Sequence, residues 1–347
     1  MPPTPCPPLG VSRDVLPLLA TVDASRRHDS RALVSQWLAR ALRGENKIFG
    51  GERRRTFERC RVVHDDKYNL LRVDVLVLDR RSSGAIDDDS AEAPLVERED
   101  RGNHAMAARL RLLRHPHILT LLGVCYEESY LVYENMARGT VKDWISCARQ
   151  STWYARFRVM AEVARALCFL HSDPLGTGGP IIHSAIRPTT IFLDDKFVAK
   201  LGGVDRALLD SEPREGVEKT LRTSQLFTQQ NSHYVAPESW QFRVFSEKTD
   251  VFAFGITLLE MLTGNFTNAF EVVEDAIEDD NAFENALDPN AGCWDIDLAR
   301  RVARLGLCCT SYNRRKRPDM AAPHTGILAI LEEVAGKVEL AVSTGNE

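Results

Sequence analysis

The first part of the chain carries hydrophobic patterns that predict β-strands. Residues 68–79, YNLLRVDVLVLD, are rich in Leu and Val and alternate apolar with polar positions in their middle, as a half-buried strand does. Residues 115–136 contain two apolar runs separated by a polar turn, which predict two further strands. Helical spacing occupies residues 105–114, just before them, and also residues 14–43 near the N-terminus.

After Gly139 the apolar residues recur at helical spacing. Residues 156–171, RFRVMAEVARALCFLH, place their apolar side chains on one face. Residues 250–264, DVFAFGITLLEMLTG, are apolar nearly all round, which is typical of a helix buried in the centre of a large lobe. Strands followed by helices along the chain predict an α+β protein with two lobes.

Two strongly charged segments interrupt these patterns. Residues 80–103 are a charged insertion without periodicity, which indicates a solvated loop. Residues 271–284, EVVEDAIEDDNAFE, carry seven acids and no base, which indicates a solvated helix face or loop.

Charge and hydropathy narrow the class of protein. The 347 residues include 44 Lys and Arg against 49 Asp and Glu, giving a formal net charge of −5. A net-acidic chain lacks the general attraction to phosphate backbones on which non-specific nucleic-acid binding depends, so nucleic acid is not an expected partner. The apolar stretches are far shorter than the roughly 20 residues that a membrane-spanning helix needs. The N-terminal sequence MPPTPCPPLG has no signal-peptide pattern, so we expect a cytoplasmic protein, with peripheral attachment to the plasma membrane as the alternative.

The eight cysteines include no Cys-x-x-Cys pair. Most of them stand in apolar runs, where cysteine behaves as a small hydrophobic residue. The sequence therefore predicts buried free thiols rather than disulfides or a zinc site.

Eight segments, in order along residues 47–335, resemble the protein kinase family. Their character is closest to the receptor-like and receptor-like cytoplasmic kinases of plants. The segments are RHPHILTLLGVCY, LVYENMARGT, ALCFLHS, IIHSAIRPTTIFLDD, AKLGGVD, YVAPES, TDVFAFGITLLEMLTG and KRPDM. The resemblance implies a bilobal kinase-like fold with a small β-rich N-lobe and a large α-helical C-lobe. The implied divisions are an N-terminal extension at 1–46, the N-lobe at 47–134, the C-lobe at 135–337 and a C-terminal tail at 338–347.

The resemblance also implies four residues with structural roles. Glu238 matches the family's Ala-Pro-Glu marker, and its carboxylate is expected to pair with Arg317. Asp250 matches the residue that accepts backbone N–H groups from the catalytic loop. His183 matches the histidine of that loop, which packs and bonds to backbone without taking part in chemistry.

The polar groups that perform phosphoryl transfer in this family are absent at the matching positions. Asp74 stands where the family has a Lys that holds the nucleotide phosphates, and Met106 stands in place of the Glu that orients this Lys. Ala185 replaces the Asp that accepts the substrate proton. Thr190 and Gly203 replace the Asn and Asp that hold magnesium.

These replacements imply that magnesium nucleotide binds weakly or not at all, and no cofactor or metal is expected. The family's phosphate-covering glycine pattern is also lost, because Gly50 and Gly51 are adjacent and followed by three arginines. Adenine could still lie against the hinge at Glu134 and Met136.

The resemblance therefore implies a pseudokinase, a kinase-shaped adaptor or scaffold that binds other proteins. Plant pseudokinases of this type connect an active kinase with an intracellular immune receptor of the NLR class. Candidate phosphorylation sites in the long segment 203–238 are Thr220, Thr223 and Ser224, where a phosphate would create a charged docking feature.

Two other functions remain open at the level of sequence. One is an atypical serine/threonine phosphotransferase that acts through relocated carboxylates at Asp194, Asp195 or Asp205. The other is a nucleotide-sensing switch without catalysis.

Overall fold

The computed structural model describes most of the second half of the chain and selected parts of the first. The described residues are 73–77, 109–110, 112–125, 130–134, 136–147, 151–209 and 229–343. Several predictions lie outside them: the helical pattern of 14–43, the loop at 80–103, the glycine pair at 50 and 51, Met106, and the candidate phosphorylation sites at 220, 223 and 224. The chain divides into two units, Met1–Arg111 with Thr120–Asn135, and Leu112–Leu119 with Met136–Glu347.

The first unit contains a three-stranded antiparallel sheet in the order β1-β3-β2. The strands are β1 (Val73–Val77), β2 (Leu121–Cys125) and β3 (Tyr130–Glu134). Strand β3 lies in the centre because its backbone pairs with both neighbours, and β2 carries an irregularity between Leu121 and Gly123. The three strands predicted from the hydrophobic pattern are confirmed. Residues 109, 110 and 112, from the predicted helix before them, are helical.

The second unit is mainly helical, as the α+β prediction requires. Its helices are α1 (Val141–Ser146), α2 (Trp153–His171), α3 (Pro237–Phe242), α4 (Glu247–Thr263), α5 (Ala269–Ala276), α6 (Asp280–Ala286), α7 (Ile296–Cys309) and α8 (Ile327–Ser343). Its short strands are β4 (Gly139–Thr140), β5 (Ile181–Ile182), β6 (Ile191–Leu193), β7 (Ala199–Leu201) and β8 (Leu208–Leu209). Helix α8 continues beyond residue 337, where a tail was expected, because Val338 still packs in the core.

Helix α4 is the central helix of this unit. Nearly all of its residues are buried, as its all-round apolar sequence predicted. It packs closely on α7 through two glycines: a Cβ on Gly255 would lie 2.9 Å from the carbonyl oxygen of Gly306, and a Cβ on Gly306 would lie 2.7 Å from the Leu259 side chain. These distances are too short for any larger residue, so glycine is what permits the two helices to approach.

A buried ion pair ties helix α2 to the chain that follows α6. The Arg156 guanidinium is fully buried and donates to the Asp288 carboxylate at 2.5 Å and to the Met261 carbonyl at 2.9 Å. Two further bonds go to the carbonyl and hydroxyl of Ser151. Because each of the three guanidinium nitrogens has a partner, the cost of burying this charge is offset within the core.

The acidic segment 271–284 forms most of α5 and α6. Val273 and Phe283 are fully buried, and the acids point outward. The segment is therefore a solvated helix face, as predicted.

The prediction of buried thiols is wrong for most of the described cysteines. Cys309 is buried, but its neighbour Cys308 is exposed, as are Cys147 and Cys293. Adjacent residues on a helix point in directions about 100° apart, so an apolar run does not bury every member. Among the described residues, no helix combines the length and apolar character needed to cross a bilayer.

Candidate functional site

The loop between β5 and β6, residues 183–190, is where the sequence places the family's catalytic loop. Strand β5 pairs with β8, and β6 lies between β4 and β7, so both ends of the loop are anchored in antiparallel pairs. The loop's shape then depends on what its polar groups bond to.

Asp250, in the first turn of α4, holds the start of this loop. Its fully buried carboxylate accepts bonds from the backbone N–H groups of His183 and Ser184, both at 2.8 Å. A third bond comes from Nε2 of His171 at 2.9 Å. The helix N-terminus also favours a negative charge at this position. The structure thus brings Asp250 and His183 together in the way the resemblance implied.

His183 links the loop to the chain after β7, and its contacts define its tautomer. The backbone N–H of Ala185 donates to Nδ1 at 3.2 Å, so Nδ1 carries no proton. Nε2 therefore carries the proton and donates to the Gly202 carbonyl at 2.8 Å. Burial lowers the pKa of His183, and the nearby Asp250 carboxylate opposes this only in part. A neutral imidazole with both nitrogens bonded has no proton to exchange with a ligand.

Thr190, at the position of the family's magnesium-binding Asn, turns its hydroxyl into the loop. Oγ1 lies 2.8 Å from the Ala185 carbonyl and 3.0 Å from that of Arg187, so it donates to these acceptors. The same oxygen accepts from the Arg187 backbone N–H at 3.2 Å. Thr190 as a whole is buried, at 8% exposure. Its hydrogen-bonding capacity is used to close the loop.

Gly203, at the position of the family's magnesium-binding Asp, has a left-handed backbone with φ of 82°. This conformation favours glycine over any residue that carries a Cβ. It places the chain at the start of a single 3₁₀ turn, Val204–Arg206. Asp205, inside this turn, is 8% exposed, and its charge acts to raise the pKa of His183.

The other carboxylates proposed for an atypical mechanism lie in the β6–β7 turn. Oδ1 of Asp194 accepts from the backbone N–H groups of Lys196 and Val198, both at 2.8 Å, so this side chain stabilises the turn. Asp195 is exposed beside it. Of the three candidates, Asp205 is the buried one.

The first unit carries two of the predicted positions. Asp74 lies opposite Tyr133 in the β1–β3 ladder. Glu134, at the end of β3, has its carboxylate turned back to the sheet, where Oε1 accepts from the Thr120 N–H at 2.7 Å. Met136, the first residue of the second unit's main segment, is buried at 2% exposure.

A polar cluster that the sequence analysis missed lies beside the catalytic loop. The Tyr234 hydroxyl lies 2.8 and 2.9 Å from the two carboxylate oxygens of Glu260, and His233 Nε2 lies 3.3 Å from one of them. Burial raises the pKa of Glu260 and also that of Tyr234. Tyr234 and Arg187 line an open hollow of about 450 Å³ next to Ala185. The available signal was Glu260, an acid within the apolar stretch that follows Asp250 in α4.

Glu238 and Arg317 form the buried pair that the resemblance implied. The Arg317 guanidinium donates two parallel bonds to the Glu238 carboxylate, at 2.6 and 2.8 Å. Its remaining donors reach the carbonyls of Ser311 and Lys248, both at 2.8 Å. The pair joins the start of α3 to the loop between α7 and α8.

Together the two units and this loop framework define a kinase-like α+β fold. The sequence pattern of the protein tyrosine and serine/threonine kinase family matches residues 96–326, and the chain belongs to that family.

The chain is similar to several plant proteins. U-box domain-containing protein 52 of Arabidopsis thaliana is 38% identical over 66% of this chain and 27% of its own length. Putative U-box domain-containing protein 53 of the same plant is 34% identical over 73% of this chain and 31% of its own length. U-box domain-containing protein 70 of Oryza sativa is 34% identical over 65% of this chain and 28% of its own length. The chain thus spans less than a third of the length of these relatives.

Proposed function

We propose that this chain is a pseudokinase, a catalytically inactive kinase-like protein that acts as an adaptor or scaffold. One observation carries the proposal. At the two loop positions where phosphoryl transfer needs an acid and an amide, the chain has the Ala185 methyl group and the Thr190 hydroxyl, and that hydroxyl is bonded to the loop's own carbonyls.

The expected loss of rate is large. General acid–base assistance contributes about 10²- to 10⁴-fold, and Ala185 has no group that accepts a proton. Metal stabilisation of the phosphates contributes several kcal/mol more, and Gly203 has no carboxylate for it. Such contributions are not additive when the groups act as a unit, so we take a loss of at least about 10⁴-fold.

The residues at these positions also fit a magnesium–nucleotide complex poorly. Magnesium prefers carboxylate oxygens and phosphates, whereas positions 185, 190 and 203 offer a methyl group, an internally bonded hydroxyl and a glycine. Asp74 adds a negative charge where the family has a cation. Weak or absent binding of magnesium nucleotide follows, with the segment at Glu134 and Met136 as the place where adenine alone would lie.

The adaptor part of the proposal rests on the structural residues that the chain retains. The structural residues of the fold keep their bonds, so the surface is held in shape while the reactive groups are absent. In the plant relatives the matched region is one part of a longer chain, which is consistent with a module that works through contacts with other proteins. The finer form of the proposal is a cytoplasmic adaptor in plant receptor or immune signalling that binds an active kinase and an NLR receptor.

Phosphate transfer from radiolabelled ATP tests the proposal directly. The purified chain is incubated with magnesium or manganese, with a general protein substrate, beside an active kinase as positive control. We expect no transfer above a heat-treated sample and no thermal stabilisation by magnesium–ATP. Transfer that persists after repurification, and that a kinase inhibitor blocks, would refute the inactive assignment.

The buried Asp205 favours one alternative, an atypical phosphotransferase that uses this carboxylate. Asp205→Asn would then abolish any measured turnover, whereas Asp195→Asn, at an exposed position in the β6–β7 turn, would leave it unchanged. If both variants turn over nucleotide as fast as the wild type, neither carboxylate is used.

A further inference from the structure

A surface on the second unit exposes large aromatic side chains that the kinase-like framework does not use. Trp240 and Phe242, on α3, are 54% and 70% exposed, and Tyr312, after α7, is 71% exposed. Aromatic side chains of this size bury 150–250 Å² each when they pack, so their exposure leaves much apolar area in water.

The two segments that carry these side chains are joined by direct bonds. Gln241 Nε2 donates to the Tyr312 hydroxyl at 2.8 Å. Beneath them, the Glu238–Arg317 pair connects the same two segments, and Lys248 donates to the Arg317 carbonyl at 2.8 Å. The bond from Gln241 therefore joins the two segments, and Trp240 and Phe242 stand next to Gln241 on a helix rather than on an independent loop.

The same two segments carry exposed cations, beside the exposed Asp319 that pairs with Lys248. Exposed Arg243 follows α3, and the exposed 3₁₀ turn Arg314–Lys316 follows Tyr312. Within the described part of the chain, no carboxylate lies within salt-bridge distance of the side chains of Arg314, Arg315 or Lys316. We call this set the aromatic–basic surface; its members are Trp240, Phe242, Arg243, Tyr312, Arg314, Arg315 and Lys316.

The composition of the aromatic–basic surface is that of a protein interface. Trp, Tyr and Arg are the residues that most often carry binding energy between proteins, and three of the four cations here are Arg. The planar Arg side chain matches a carboxylate with two parallel bonds, which a Lys cannot do. We propose that the aromatic–basic surface binds an acidic peptide segment of a partner protein in which Glu or Asp alternate with large apolar residues.

Two other occupants fit less well. An anionic membrane attracts exposed cations through their charge alone, so the preference for Arg over Lys has no special value there. A second copy could offer its acidic face at 271–284, but that face exposes no large apolar side chain to cover Trp240 and Phe242. The inference rests on the proposed adaptor function for its biological meaning, but the binding itself is independent of whether the chain transfers phosphate.

Fluorescence polarisation with three labelled 12-residue peptides tests the inference. The first peptide alternates Glu and Asp with Leu and Phe, the second has Lys in place of the acids, and the third has Ser in place of Leu and Phe. Binding is measured for the full chain, for Arg314→Glu/Arg315→Glu, and for Trp240→Ser/Phe242→Ser. The matched control is Arg304→Glu/Lys196→Glu, at exposed positions outside the aromatic–basic surface.

We expect the first peptide to bind with a dissociation constant below about 100 μM and at least tenfold more tightly than the other two. Both surface variants should weaken this binding tenfold or more, and raising the salt from about 0.1 to 0.5 M should weaken it further, because the charges are exposed. The control variant should bind like the wild type. Circular dichroism melting of each variant separates lost binding from lost folding.

Other results overturn the inference. They are equal binding of all three peptides, unchanged binding by the surface variants, or no binding below about 1 mM. Sedimentation with phosphatidylserine vesicles that is lost in Arg314→Glu/Arg315→Glu would assign the surface to a membrane instead, and dimers or larger species dispersed by that variant would assign it to a second copy. Phosphate transfer in the radiolabel assay would refute the pseudokinase proposal and leave this inference standing.

Discussion

Two kinds of hydrogen bond hold the loop at 183–190. One kind joins the loop to the core around it, and the other joins a residue at a reactive position to the loop itself. The His183 backbone N–H donates to Asp250 in helix α4, and the His183 imidazole donates to the chain after β7, so these bonds tie the loop to the core. Thr190 bonds inward, to carbonyls of the loop itself. The loop's shape is therefore supported by the Thr190 hydroxyl from within and by Asp250 from helix α4.

Breaking the framework should have the largest effect. Arg317→Ala leaves the Glu238 carboxylate without its buried partner and leaves the carbonyls of Ser311 and Lys248 without a donor. Removing one member of a buried pair typically costs about 3–5 kcal/mol in the free energy of unfolding. Urea denaturation measures this cost. A loss below about 1 kcal/mol would show that the framework is not what holds this part of the fold.

Changing the reactive position should cost less. Thr190→Val keeps the shape of the side chain but removes the hydroxyl, so the Ala185 carbonyl and the Arg187 N–H lose a partner. An unsatisfied buried polar group costs about 1–3 kcal/mol. Urea denaturation again gives the value, with Thr189→Val in the same loop as the matched control. Equal stability of Thr190→Val and wild type would mean that the inward bonds contribute nothing.

The free energy of unfolding should depend on pH through His183, which holds the loop in place. His183 is buried and its pKa is lowered, with Asp250, Asp205 and His171 as its charged or titratable neighbours. A base whose pKa is lower in the folded state adds stability that is complete above its unfolded pKa, about 6.5, and is lost as the pH falls. The free energy of unfolding should therefore decrease between pH 7.5 and 5.5.

The matched measurement compares this decrease in wild type and in His183→Asn. The variant lacks the titrating group, so its decrease should be smaller, whatever its absolute stability. His115 and His117, whose pKa values burial also lowers, remain in both proteins and supply a common background. An identical decrease in the two proteins would assign the pH effect to those other histidines.

Much of the fold could be predicted from sequence, because burial leaves a clear pattern. Helix α4 is apolar all round and proved to be central, and strands β2 and β3 appeared as two apolar runs. The exposure of Cys308 could not be read from its apolar neighbours, since it depends on which face of α7 meets α4.

The polar details of the site were less accessible to sequence. The bond between Tyr234 and Glu260 joins residues far apart in the chain, and the inward turn of Thr190 depends on the geometry of its own loop. Neither is encoded by spacing. Glu260, the acid within the apolar stretch after Asp250 in α4, was a visible signal that some polar partner had to be buried with it.

The smallest expected effect on stability comes from Arg301 and Glu333, an exposed ion pair with the same bonding arrangement as Glu238 and Arg317. Arg301 donates two bonds to the Glu333 carboxylate, at 2.7 and 2.5 Å, in the same arrangement as Arg317 and Glu238. The difference is that both side chains of the surface pair are more than a third exposed. Hydrogen bonds from Arg301 lower the pKa of Glu333 to about 2, yet water screens the pair, so Arg301→Ala should change Tm by no more than about 1–2 °C. Differential scanning calorimetry of Arg301→Ala and Arg317→Ala compares the Tm shifts of the exposed and the buried pair. Similar shifts in both variants would show that burial does not decide how much such a pair contributes to stability.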